Sequence, residues 1–276
     1  MTTTAERRRI FRQLHEAGCF VIPNPWDVGS ARYLKSLGFK ALATTSAGAA
    51  WSMGYADGRT PPAQMLAHIR EIVEATDLPV NADFEGGYVD APDALQRAVR
   101  DCMDTGVAGL SIEDYTGDRN DPIYPFDLAV ARIAAARAAI DRAGGEVLLV
   151  GRAEGLIRNR PDFDEILRRL KAYAAAGADC LYAPGLKTRE EIAAVVAAAA
   201  PKPVNVLMGT PSPLTVADLA ALGVRRISVG GSLARSAWGG LMRAAKRIAE
   251  AGDFNGFADA ASGPELNALF SASSKT

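Results

Sequence analysis

The chain is poor in the residue types that carry the commonest forms of enzyme chemistry. Its 276 residues include only two histidines, His15 and His68, and three cysteines, Cys19, Cys102 and Cys180. Both histidines fall inside helical patterns, which argues against a Ser-His-Asp triad or a His-rich zinc site. The cysteines lie far apart and cannot all pair. They are expected to be small buried hydrophobes of a reducing, cytoplasmic setting, not ligands or nucleophiles. Net charge is −1, so the electrostatic footprint of nucleic-acid or anionic-membrane binding is missing. No apolar run approaches the ~20 residues of a membrane span. The start, MTTTAERRRIFRQLHEAGC, reads as a charged helix without the apolar centre of a signal peptide. Neither nucleic acid nor membrane is expected as a partner. What remains for chemistry is carboxylates, arginine, Ser/Thr, Tyr and a metal ion.

Eight runs of β-forming residues alternate with Ala-rich helical stretches. They are CFVIPN (19–24), ALATTS (41–46), PVNADF (79–84), GLSIED (109–114), VLLVGR (147–152), CLYAPG (180–185), PVNVLMG (203–209) and RISVGG (226–231). Several helical stretches end in glycine just before the next strand (Gly38, Gly106, Gly177, Gly223), as helix C-termini do. Regular β-α alternation implies a parallel sheet. The length is close to the ~250 residues of a (β/α)8 TIM barrel. No nucleotide-binding glycine fingerprint accompanies any strand, which favours the closed barrel over a doubly wound sheet. The expected organisation is a barrel over 1–250 and a helical extension over 251–276.

Residues two apart on a strand share a face. Val80, Ala82 and Phe84 form an apolar, helix-facing set, so Asn81 and Asp83 point to the barrel axis. By the same parity Leu110 and Ile112 send Ser111 and Glu113 inward. Asn205 and Ser228 follow on the seventh and eighth strands, while the apolar part of the fifth strand is ambiguous and ends in Arg152. These inward polar residues crowd the C-terminal ends of the strands, where barrel enzymes place their chemistry. Asp83 and Glu113 in one confined mouth repel each other unless protonated or bridged by a cation. Hard oxygen donors suit Mg²⁺. The alternative is an ordinary buried network in which Arg152 pairs with both. TTSAGAA (44–50) is either an anion-cradling nest or a plain turn. Gly209 and Gly230, after the last two strands, occupy the usual barrel phosphate site.

Taken together, IPNPWDVGSARYLKSLGFKALATTSAG, PVNADFEGGY, GLSIED and VGRAE, in this order and spacing, resemble the isocitrate lyase/phosphoenolpyruvate mutase superfamily over roughly residues 10 to 250. The resemblance implies a Mg²⁺-dependent barrel that makes or breaks a C–C or P–C bond in a small 2-oxo acid through an enolate-type intermediate. It implies a homodimer or homotetramer with the last barrel helix swapped between subunits. By position, Asp83 is the direct metal ligand. Asn81 stands for the family's first aspartate, and Glu113 for a glutamate acting through metal-bound water. Arg152 holds the substrate carboxylate or developing enolate oxygen, while Ser46 and Ala47 contribute hydroxyl and N–H contacts. Trp26 lines the oxo-acid pocket, and Asp57 reaches the metal cluster.

Two departures stand out. Asn81 removes one negative charge from the metal shell. The cysteine-bearing stretch of the true lyases is replaced by YTGDRNDPIYPFD (115–127), without Cys or His. This points to the phosphonomutase-like branch, with Asp118, Arg119 and Asn120 in a mobile loop and Arg119, Asn120 and Asn205 among the substrate contacts. The expected substrate is of phosphonopyruvate or oxaloacetate type. Rivals are a methylisocitrate-type lyase using a non-Cys acid, a catalytically silent carboxylate-binding barrel, and a phosphosugar-binding barrel.

Overall fold

The computed structural model describes residues 2–273. All eight expected strands form, and every pair in the sheet is parallel. The chain runs through α1 (Thr4–Leu14), β1 (Phe20–Ile22), α2 (Val28–Ser36), β2 (Leu42–Ala43), α3 (Ser46–Ser52) and α4 (Pro62–Ala75). It continues with β3 (Val80–Asp83), α5 (Pro92–Met103), β4 (Gly109–Glu113), α6 (Phe126–Arg142), β5 (Leu148–Arg152) and α7 (Phe163–Ala175). Then follow β6 (Cys180–Tyr182), α8 (Arg189–Ala199), β7 (Val204–Leu207), α9 (Val216–Ala221), β8 (Arg226–Ser228), α10 (Ser232–Ala251) and α11 (Gly263–Ser273).

Strand order is β1-β8-β7-β6-β5-β4-β3-β2. The seam between β1 and β2 is closed by Ala43 N–H on the Pro23 carbonyl (3.0 Å) and by the Asn24 amide on the Thr44 carbonyl (2.8 Å). This is a (β/α)8 barrel.

Parity reads correctly. Val80, Ala82, Phe84, Leu110, Ile112, Val204, Val206 and Ile227 belong to the core between strands and helices. The ambiguous fifth strand turns Leu148 and Val150 inward and Leu149 outward. Gly151 also faces out, where a Cβ would lie 3.0 Å from that of Tyr173. The second strand is shorter than expected. It stops at Ala43 because the Thr45 hydroxyl accepts from Gly48 N–H and starts α3 at Ser46.

The charged helix α1 closes the bottom of the barrel. Phe11, fully buried, enters the interior beside Ile22, Leu148, Val150 and Cys180. Its arginines grip carbonyls that precede strands: Arg8 Nε on Val107 O at 3.1 Å, Arg12 Nε on Glu146 O at 2.8 Å. Their positive charge is thus spent on main-chain acceptors.

At the other end of the chain, α10 leaves Trp238, Leu241 and Met242 exposed. α11 returns to α2, placing Phe270 beside Gly29. No helix among the described residues is long and apolar enough to cross a membrane.

Candidate active site

A cavity of about 720 Å³ opens at the C-terminal ends of the strands. β3 and β4 deliver Asp83 and Glu113 to it, and β5 delivers Arg152 opposite Glu113 in register. Arg152 Nη1 lies 3.2 Å from both Asp83 Oδ1 and Glu113 Oε2. Its Nε donates to Glu154 Oε1, and its guanidinium carbon sits 5.0 Å from the centroid of the Tyr182 ring. Glu154 is fully buried, and its second oxygen accepts from Arg158 Nε at 2.9 Å. Arg158 in turn stacks on Tyr115 at 3.6 Å. One hidden carboxylate therefore aligns two arginines. It is itself set by Asp114, whose Oδ1 accepts from Glu154 N–H at 2.8 Å. The other oxygen of Asp114 takes Tyr173 Oη at 2.6 Å and Arg169 Nη1 at 3.1 Å.

Ser46, first residue of α3, donates both N–H and hydroxyl to Asp83 Oδ2 at 2.9 Å. The backbone amide of Asp83 donates to the Thr44 hydroxyl, also at 2.9 Å. The TTSAG segment is therefore a helix start that anchors Asp83, with Ala47 lining the cavity next to it. After Asp83 the chain turns sharply through Glu85 (φ 48°), Gly87 (φ 76°) and Tyr88 (φ 62°). At Gly87 a Cβ would stand 2.3 Å from Leu95 Cδ1, so only glycine fits. Arg132, from α6, holds this turn by donating to the carbonyls of Gly86, Val89 and Asp90.

Six carboxylates line the cavity: Asp57, Asp83, Glu85, Asp90, Glu113 and Asp118. Burial, then the charges of Asp83 and Asp57, push the Glu85 carboxyl up to about 7. Asp57 is raised by burial and then by Asp83. Burial also raises Glu113, against the pull of Arg152. Acids that lift one another in this way form a site with surplus negative charge, which a cation fits. Among the described residues no three acid, His or Cys side chains converge as a complete ligand cage. A cation held by one or two carboxylates and several waters suits that arrangement, and this is the manner of Mg²⁺.

Several expected site residues stand elsewhere. Trp26 does not line this cavity; it borders a second one, of about 650 Å³, with Met53, His68 and Glu71. Its position before α2 turns it toward α3 and α4. Asn205 is fully buried and does not line the cavity either, because its amide is spent on Ser228 Oγ (2.9 Å) and Arg226 Nε (2.8 Å). Asn81 lines the cavity one inward position deeper than Asp83, but its Oδ1 already accepts from Arg226 Nη1 at 3.3 Å.

The stretch after β4, expected to be a mobile loop, has its two ends tied together at the base, with residues 117–121 exposed. Tyr115 bridges Ile123, and Thr116 N–H reaches Pro122 O at 3.0 Å. Arg119 and Asp118 line the cavity, whereas Asn120 is turned back by its N–H bond to Asp118 Oδ1. Gly230 borders the cavity, and the Gly209 carbonyl is occupied by Ser232 and Arg235. None of the three cysteines lines the cavity, and Cys102 and Cys180 are buried.

Glu85 follows Asn81 and Asp83 in the sequence at the same spacing of two but had no role assigned to it. Residues not singled out from sequence but present are Glu154, Arg158, Tyr182 and Arg226. For Arg226 and Tyr182 the signal was available. The parity that turns Ser228 inward applies to Arg226 on the same strand, and Tyr182 lies between Leu181 and Ala183, which belong to the core between strands and helices.

An arginine set among carboxylates at the mouth of a (β/α)8 barrel defines an enzyme for small acids. A family model described as phosphoenolpyruvate phosphomutase matches residues 11–249, and the chain belongs to that family, within the phosphoenolpyruvate mutase/isocitrate lyase superfamily. An oxaloacetate decarboxylase of Paraburkholderia xenovorans (strain LB400) is 30% identical over 81% of this chain and 75% of its own length. A solved structure of a candidate lyase/mutase from Burkholderia cenocepacia J2315 is 46% identical, with a TM-score of 0.92 over 97% of this chain and 96% of that one. An oxaloacetate acetylhydrolase solved with its product oxalate is 28% identical, with a TM-score of 0.85 over 98% and 95%.

Proposed function

We propose that this protein is a Mg²⁺-dependent, phosphonomutase-like enzyme. It makes or breaks a C–C or P–C bond in a small 2-oxo acid of oxaloacetate or phosphonopyruvate type, through an enolate intermediate. The observation that carries this is that Asp57 and Glu85, both raised by burial and by Asp83, share the mouth with the Asp83 and Glu113 carboxylates that Arg152 already pairs. Acids thus remain there beyond what Arg152 neutralises. Asp83, with Glu113 and Asp57 through water, would hold the ion, which supplies Lewis-acid polarisation of the substrate's oxygens.

The chain's own residues do the rest. Arg152, fixed by Glu154 and the face of Tyr182, has Nη2 outside the ion pairs that hold Nε and Nη1, and that nitrogen would donate to a carboxylate or enolate oxygen. Ser46 holds Asp83 in one orientation, and Ala47 borders the carboxylate's place. The segment 115–124 borders the mouth, where it would limit access of bulk water to the intermediate, with Arg119 and Asp118 toward the departing group. An enolate held in this way is protonated by water and needs no cysteine acid.

The kinship with an oxaloacetate decarboxylase and an oxaloacetate acetylhydrolase supports the substrate class. Incubating the protein with oxaloacetate, phosphonopyruvate or methylisocitrate and Mg²⁺, and following products by NMR, tests the proposal. Turnover of a 2-oxo acid is expected; turnover of methylisocitrate alone would refute it.

A further inference from the structure

The floor of the cavity holds a charge that the proposed chemistry leaves unused. Arg226, first residue of β8, is 3% exposed and lines the cavity from below. Its two protein partners are neutral amides, Asn205 Oδ1 at 2.8 Å from Nε and Asn81 Oδ1 at 3.3 Å from Nη1. Arg152 and Arg169 each meet a carboxylate, Arg152 on Asp83, Glu113 and Glu154 and Arg169 on Asp114. The buried Arg132 spends its guanidinium on the three carbonyls of Gly86, Val89 and Asp90. Arg226 has neither a carboxylate nor such a set of carbonyls. Among the described residues, no acid forms an ion pair with Arg226, and the Cys180 thiol and Tyr182 phenol near it are neutral groups that burial pushes up.

The charge is felt on the far side of the floor as well. Beneath it, His15 is driven down to about 3, by burial first and by Arg226 next. A guanidinium stays protonated in a protein. Buried without a counter-charge it is strongly unfavourable. A protein that places one against a water-filled cavity, with only two of its donor atoms satisfied by amides, has built half of an ion pair.

Arg152, Tyr182 and Arg226 all line this cavity, with Arg152 stacked on the Tyr182 ring at 5.0 Å, so two guanidinium groups face one enclosed space. We propose that Arg226 is a second anion-binding residue of this cavity, receiving the far acidic group of a dianionic substrate whose other acidic group is held at Arg152. This rests on the functional reading above for the place of Arg152. A monoacid leaves Arg226 unpaired, whereas a diacid completes it, so the residue selects by charge number.

Calorimetry with the full chain and Mg²⁺ in every titration tests this, using malonate as a two-carboxylate probe and acetate as a one-carboxylate probe. In Arg226→Met, malonate affinity is expected to fall by about tenfold or more and acetate affinity to change less than about twofold. Arg226→Lys should recover part of the loss. Asn205→Asp supplies an internal counter-ion to the same guanidinium, and it should weaken malonate selectively while raising the melting temperature. This variant keeps the test open should Arg226→Met not fold. Unchanged malonate binding in whichever variant folds, or equal loss for both probes, overturns the proposal. If no 2-oxo acid is turned over yet malonate selectivity follows Arg226, the anion site stands and the functional reading fails.

Discussion

Ser46 gives both its backbone N–H and its hydroxyl to one oxygen of Asp83, at 2.9 Å each. The other oxygen faces Arg152 Nη1 at 3.2 Å. The start of α3 and the end of β5 thus fix the carboxylate from two sides. One acceptor site is left on Oδ1, in a side chain that lines the cavity.

Ser46→Ala removes one of those bonds and leaves the backbone one. Hydrogen bonds to a charged group contribute about 1.5–3 kcal/mol, so kcat/KM is expected to drop by roughly tenfold or more. The fold, judged by circular dichroism, should be retained. Steady-state kinetics on the substrate found by the NMR screen check this.

Arg152→Lys keeps the charge but loses the planar fork that meets Asp83, Glu113 and Glu154 together. Most activity should disappear. Near-normal kcat/KM in this variant would remove Arg152 from the mechanism.

His15 sits under the barrel floor, donating Nδ1–H to Phe11 O at 2.7 Å between the rings of Phe11 and Phe20. Its folded pKa of about 3 lies below the unfolded value of ~6.5. The unfolded chain therefore binds a proton that the folded one refuses. Stability is complete above pH ~6.5 and is lost as pH falls toward 3. At pH 5 the loss from this group is about 2 kcal/mol. Urea melts at pH 7 and pH 5 should show that extra loss in wild type and its absence in His15→Gln.

Most of the fold was legible because it rests on periodicity. Alternating apolar residues on β3 and β4 fixed which side chains point to the axis, and so placed Asp83 and Glu113 together. The site was legible only as far as strands carry it. Trp26 and Asn120 lie on connections, whose course depends on local bonds such as Asn120 N–H to Asp118 Oδ1 that no period announces. Asn205 was placed inward correctly, but its distance from the cavity depends on the size of Arg226 beside it. Arg158 came from a 3-10 turn after β5, where spacing rules give no face.

The exposed Trp238, Leu241 and Met242 lie three and four residues apart on α10 and so share one apolar face. The chain is expected to be at least a dimer through this helix. Light scattering at micromolar concentration checks it, and a monomer would contradict it. Leu241→Glu should shift the mass toward the monomer.

The most direct measurement is the rate of 2-oxo acid consumption as Mg²⁺ is titrated into wild type and Asp83→Ala, with Mg²⁺ affinity measured on both by calorimetry. Wild type should show saturable, EDTA-reversible turnover, and Asp83→Ala should bind Mg²⁺ far more weakly and turn over at the uncatalysed rate. Equal Mg²⁺ affinity in the two proteins, or turnover in Asp83→Ala that matches wild type, would contradict a metal site centred on Asp83.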